Sequence, residues 1–240
     1  MNINYESVYK EFASQTINWV AGDTKEHYDK HLISAKSLLE KHGWLTNEVT
    51  YTFNSDGFRC KDFTNDPSIV FLGCSFTLGL GVNAEDSWTS LVAESLNLQS
   101  FNLGQAGGSN DTAFRLGSHW IEKLKPKLVV LLTPSAHRLE LVEKEMIHFF
   151  TPQRFHKDRF STYLHTWLND ETNSTMSVLK NTLALEYICV QNKIKFVKYD
   201  ASNFRRLDFA RDLAHPGVGS HKELASKILN LVEAEGIEPF

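Results

Sequence analysis

Three cysteines in 240 residues, Cys60, Cys74 and Cys189, are too few and too irregularly spaced for a disulfide framework or a zinc site. There is no C-x-x-C, and an odd, unpatterned count suits a reducing compartment. Nothing approaches the roughly 18 consecutive apolar residues of a membrane span. The opening MNINYESVYKEFASQ has no basic head followed by an apolar stretch, so neither a span nor a secretory signal is predicted and a cytoplasmic location is expected. A surplus of cations is missing too. With 25 Lys and Arg against 29 Asp and Glu the formal net charge is −4, which argues against a nucleic-acid partner held through clustered phosphate contacts. Repeats, low-complexity tracts and Gly/Ser linkers are absent. What remains is a composition of 42% apolar and 22% charged residues, which describes a globular chain with a real core. The length suits one α/β domain with an elaboration.

Two rhythms divide the chain. Up to about residue 45 the period is helical: Tyr28, Leu32, Ala35, Leu38 and Leu39 recur at three- and four-residue steps and Gly43 is placed to end the helix. From about Ser68, short β-prone runs (68 to 73, 98 to 103, 128 to 133, 194 to 199) alternate with amphipathic stretches (84 to 97, 111 to 124, 174 to 192), and a last helix is expected over 219 to 235. Strands alternating with helices predict βαβ units and a mostly parallel sheet. The aromatic, His-rich and basic stretch from 143 to 172 has no clean period and reads as an insertion over one end of the sheet. Its charged and aromatic residues between 150 and 167 suit equally a grip on an anionic or carbohydrate substrate and the polar face of a lid. The expected division is residues 1–65, a helical extension packed on the body, and 66–240, the α/β body.

Ligands of open α/β sheets bind at the carboxyl ends of the strands, so the residues just after each run matter most. The first run ends in Gly73-Cys74-Ser75-Phe76-Thr77-Leu78-Gly79. Such a turn can hold the Ser75 hydroxyl out at the sheet edge, or can be a plain βα turn with Ser75 as the helix cap. A dinucleotide fingerprint would open directly off the strand, a P-loop needs a lysine, and a G-x-S-x-G elbow needs glycine where Thr77 stands. The second run ends in Asn102-Leu103-Gly104-Gln105-Ala106-Gly107-Gly108-Ser109-Asn110-Asp111, whose glycines let backbone N–H groups approach a ligand and whose Ser109 or Asn110 suits a helix cap. Late in the chain stands Asp212-Leu213-Ala214-His215-Pro216. The proline biases His215 toward extended backbone, and Asp212 is near enough to fix its tautomer. His27 and His31 lie one helical turn apart without a third ligand, so no metal is expected there.

A strand-end serine, a Gly-rich second loop and a late D-x-x-H in this order resemble the SGNH (GDSL-type) hydrolases. The resemblance runs from about Asn54, in the approach segment Asn54-Ser55-Asp56-Gly57-Phe58-Arg59, to Leu231, and includes His215-Pro216-Gly217-Val218-Gly219-Ser220-His221. It implies a three-layer α/β/α, flavodoxin-like parallel sheet and a Ser-His-Asp triad of Ser75, His215 and Asp212. It also implies oxyanion donors on the backbone of Ser75 and Gly107. Cys74 stands where the family has aspartate. The family's oxyanion asparagine in a third Gly-x-Asn-Asp block is missing, with Ser135 of Thr133-Pro134-Ser135 near its place. A Gly-x-Asn-Asp string does occur in the second loop, where it reads as a coincidence in register, though its Asn110 could still turn toward the same pocket. The activity so implied is hydrolysis of an acyl or acetyl ester of a carbohydrate or small molecule, with no metal or cofactor. Transfer of the acyl group to an alcohol by the same triad, or a binding module that kept the fold and lost activity, are the other readings open at this point.

Overall fold

In the computed structural model, residues 4–143, 146–151, 166–167 and 170–236 are described. The N-terminal segment holds β1 (Thr16–Ile17), α1 (Lys25–Ser34), α2 (Lys36–Lys41) and β2 (Tyr51–Thr52), which pairs antiparallel with β1. The helical period expected across 28 to 39 is broken at Ala35, whose φ of −144° separates α1 from α2.

The body follows as β3 (Ser68–Leu72), α3 (Ser75–Leu78), α4 (Trp88–Ser95), β4 (Gln99–Asn102), α5 (Asn110–Leu124) and β5 (Leu128–Thr133). A hairpin of β6 (Leu139–Glu143) and β7 (Met146–Phe150) comes next, then α6 (Glu171–Gln191), β8 (Lys195–Asp200) and α7 (Val218–Ala234). The hairpin lies partly in the stretch that lacks a sequence period; most of the insertion read over 143 to 172 falls outside the described residues.

Strands β4, β3, β5 and β8 form one parallel sheet in that order. Numbered along the sheet this is 2-1-3-4, the flavodoxin-like order. Every residue of the central strands β3 and β5 is buried, because both of their faces are covered. Ile69, Phe71, Leu128 and Val130 pack with Trp88 and Val92 of α4 and Leu224 and Ile228 of α7. Val70, Leu72, Val129 and Leu131 pack on the opposite side with Leu116 and Trp120 of α5 and Leu185 and Cys189 of α6. The alternation along each strand thus divides the core into the two outer layers of an α/β/α sandwich. A third cluster joins Leu39, Trp44, Val49, Tyr51 and Phe53 of the N-terminal segment to Leu78, Leu80, Val82 and Ala210 of the body. No helix among the described residues is long and apolar enough to cross a membrane.

Helix α7 begins beside the sheet edge, and the Asp208 carboxylate satisfies its first donors, accepting from Gly219 N at 2.8 Å and Ser220 N at 2.9 Å. One turn in, His221 is 1% exposed and its Nδ1 accepts the Trp88 amide at 3.2 Å, tying the starts of α4 and α7 together. Burial, with the nearby Arg59 charge adding to it and Asp208 opposing it, lowers the imidazole from its ordinary 6.5 to about 3. The unfolded chain takes up this proton near pH 6.5 and the folded chain does not, so stability falls as pH drops through the interval between those values. His221 is expected to contribute about 1.4 kcal/mol of lost stability per pH unit there. Urea melts of wild type and His221→Gln between pH 7 and pH 4 check this: the slope against pH should be shallower in the variant, and equal slopes would refute it.

Candidate active site

The end of β3 turns on Gly73, whose φ is +154°. A β-carbon there would lie 2.2 Å from Thr77 Oγ1 and 2.8 Å from the Leu132 carbonyl oxygen, so only glycine fits. Cys74 is extended and its carbonyl accepts from Thr77 N and Leu78 N, which starts the single turn α3 at Ser75. Gly79, at φ +77°, ends it. Ser75 is therefore the first helical residue rather than the cap.

The second loop lies against this turn. A β-carbon on Gly104 would meet Leu78 N at 2.5 Å, and Asn102 fixes the approach by donating to Thr77 O at 2.7 Å while accepting from Gly104 N at 2.9 Å. Gln105 N donates to Gly73 O at 3.2 Å. Gly107, at φ +79°, passes under the Phe149 ring, which would stand 3.3 Å from any β-carbon there. Ser109 caps α5 in a capping box with Thr112. That leaves Asn110 as the first helical residue, 3% exposed, with its Nδ2 donating to Pro134 O at 3.1 Å. Its Oδ1 is buried without a hydrogen-bond partner among the described residues. Asn110 thus reaches the end of β5 beside Ser135, which is exposed and lines an adjacent cavity.

The third component is the loop before α7. His215 Nε2 stands 2.9 Å from Ser75 Oγ, and His215 Nδ1 stands 2.5 Å from Asp212 Oδ2. The other Asp212 oxygen accepts from Ala214 N at 3.1 Å and His215 N at 3.0 Å, so the carboxylate shapes the turn that presents the ring. Burial alone would raise the Asp212 carboxyl; the bonds and charge of His215, with the Ala214 amide, outweigh it and hold the group below the usual carboxylate range. The Phe76 ring packs edge-on against His215 at 5.7 Å. Ser75 is 5% exposed, and the His215 side chain, at 22%, is the wettest of the three.

Two arginines that sequence spacing did not single out as site residues hold these loops. Arg211, next to Asp212, pairs with Asp23 at 2.8 Å, donates to Val49 O and Asn18 O, and lies over the Trp19 ring. Tyr51 donates its hydroxyl to the same Asp23 carboxylate at 2.6 Å and accepts from Gly81 N at 2.8 Å. Arg59 donates to the carbonyls of Leu78, Gly79 and Val82 just past the Ser75 turn and to Thr50 O. Neither lies in an apolar run, so the sequence carries no local signal that they are buried. Among the described residues no group of three or more His, Cys, Asp or Glu is arranged to hold a metal ion.

No protein-family model matches the chain, and no curated protein matches it. Solved structures similar to it include an acetyl xylan esterase from the rumen bacterium Butyrivibrio proteoclasticus, 11% identical over 79% of this chain and 67% of that one, with a TM-score of 0.41. An esterase from Pseudoalteromonas sp. is 13% identical over 72% of this chain and 75% of that one, with a TM-score of 0.36. A member of the lipolytic G-D-S-L family from Veillonella parvula is 17% identical over 68% and 96%, with a TM-score of 0.35.

Removing one member of a buried ion pair strands the other charge. Asp23→Ala is therefore expected to cost about 3–5 kcal/mol in urea unfolding, against less than about 1 kcal/mol for Asp29→Ala in the exposed Lys25–Asp29 pair. Equal effects of the two would show that the Arg211 cluster carries no special weight.

Proposed function

We propose that the protein is a serine esterase of the SGNH kind, hydrolysing an acyl or acetyl ester of a carbohydrate or small molecule. The observation that carries this reading is the unbroken hydrogen-bonded line from Ser75 Oγ through His215 to Asp212. Two separate segments, the turn after β3 and the loop before α7, bring it together at the carboxyl edge of the sheet, where ligands of such folds bind.

In this reading Asp212 accepts the Nδ1 proton of His215 and so leaves Nε2 as the acceptor. As Ser75 Oγ attacks the ester carbonyl carbon, its proton passes to Nε2, and the carbonyl oxygen becomes an oxyanion. The backbone N–H groups of Ser75 and Gly107 donate to that oxygen. Asn110 spends one of its two amide hydrogens on Pro134 O and gives the second to the oxyanion, doing the work of the asparagine absent from the third strand end. Ser135 contacts the substrate from the cavity rim. The imidazolium then protonates the departing alcohol and the acyl-enzyme forms. Water, deprotonated by His215, attacks it, releasing the acid and returning the proton to Ser75. A single oxyanion donor is worth roughly 3 kcal/mol of transition-state stabilisation.

The test pairs a fluorophosphonate label with turnover of short p-nitrophenyl esters. Wild type should label and turn over; Ser75→Ala should do neither, and His215→Ala and Asp212→Asn should lose turnover by orders of magnitude. Asn110→Ala should lower kcat by about 10²–10³ with the fold intact by circular dichroism. A wild type that neither labels nor turns over any of these esters refutes the proposal.

A further inference from the structure

A cavity of about 670 Å³ opens at the carboxyl ends of β3, β5 and β8, against the first half of α6. Cys74 and Phe76, the two chain neighbours of Ser75, lie in its wall, while Ser75 itself does not. Its charge is lopsided. Arg138, from the loop after β5, and Lys198, on β8, both line it, and among its described lining residues the one carboxylate is that of Asp200, which accepts from Ser202 N at 2.8 Å. Arg138 gives one N–H to Gly108 O at 3.3 Å, and among the described residues neither it nor Lys198 pairs with an acid. On the α6 side the wall is formed by Thr175, Val178, Leu179 and Thr182.

Lys198 is exposed and Arg138 half-buried, so the two present a pair of cations to the cavity rather than stranded buried charges. Set against the single carboxylate of Asp200 they leave the described lining net positive, which favours a carboxylate or phosphate there. Resting on the esterase reading above, we propose that this cavity receives an anionic group of the ester substrate, a carboxylate or phosphate carried on its acyl or its alcohol half. The ester carbonyl then lies at Ser75, while the charged end sits between Arg138 and Lys198. Specificity for charged over neutral esters comes from this end of the site rather than from the triad.

Two matched substrate pairs distinguish the halves. For the acyl half, p-nitrophenyl hemisuccinate is compared with p-nitrophenyl butyrate, in which a methyl replaces the carboxylate; for the alcohol half, acetylglycerol phosphate is compared with acetylglycerol. In wild type, kcat/KM for the anionic member of at least one pair should exceed that of its neutral partner by about tenfold or more. That ratio should fall toward one in Arg138→Gln and in Lys198→Gln, and should shrink with added salt. A ratio is insensitive to the fraction of folded enzyme, so misfolding cannot mimic the result. Turnover of both pairs without preference, or a preference that survives both substitutions, overturns the proposal and leaves the hydrolase reading standing. If wild type turns over no ester, the hydrolase reading fails by itself. The cavity is then judged by calorimetric titration with succinate and with inorganic phosphate: saturable binding that both substitutions abolish supports an anion site, and its absence in wild type refutes it.

Discussion

Backbone lies so close to backbone at the carboxyl edge of the sheet that there is no room for a β-carbon at two positions. At Gly73 the obstacle is the neighbouring strand, through Leu132 O, and at Gly104 it is the turn that carries Ser75. These approaches set how far the serine hydroxyl stands from the sheet and how near the second loop comes to it. The serine's elevation, the seat of Asn110 beside Pro134 and the opening of the cavity along Cys74 and Phe76 all follow from that close contact. A methyl group at either glycine would have to move main chain, and the dense packing of the interior leaves it nowhere to go.

Packing sets the positions of the loops, and buried charge locks them. Arg211 and Arg59 are both nearly inaccessible, and each is held in a different way: Arg211 by a carboxylate with two carbonyls, Arg59 through its two terminal nitrogens by carbonyls and by the face of Tyr51, with its Nε left without a partner among the described residues. Guanidinium groups suit this because their planar fork can bond several chain segments at once. Arg59 gathers the chain just past α3, and Arg211 gathers the chain just before His215. Ser75 and His215, which stand 2.9 Å apart, are thereby fixed from behind by residues outside their hydrogen-bonded line.

Much of this could be read from the residues. The four strand runs and the helices between them follow from periodicity, because β3 and β5 are covered on both faces and so are apolar throughout. Ser75, His215 and Asp212 could be picked out because strand ends and a D-x-x-H turn are local patterns. What could not be read was of longer range. The role of Asn110 as a bridge to Pro134 depends on two loops meeting 24 residues apart. The break at Ala35 and the β6–β7 hairpin leave no period strong enough to see. The partnership of Asp23 with Arg211 has no sequence signature, since Gly22-Asp23-Thr24-Lys25 and Ala210-Arg211-Asp212 read as ordinary polar segments.

That last pairing joins residues 188 positions apart. During synthesis the acid leaves the ribosome long before its arginine, so Asp23 has no buried cation to pair with until the loop bearing Arg211, Asp212 and His215 is made. Local units such as β3, α3 and α4 can form early, but closing so long a loop carries a large entropic cost and comes late. Ser75 and His215 are therefore brought within hydrogen-bond distance near the end of folding. A nascent or truncated chain would carry every residue of the first two loops and still lack that bond.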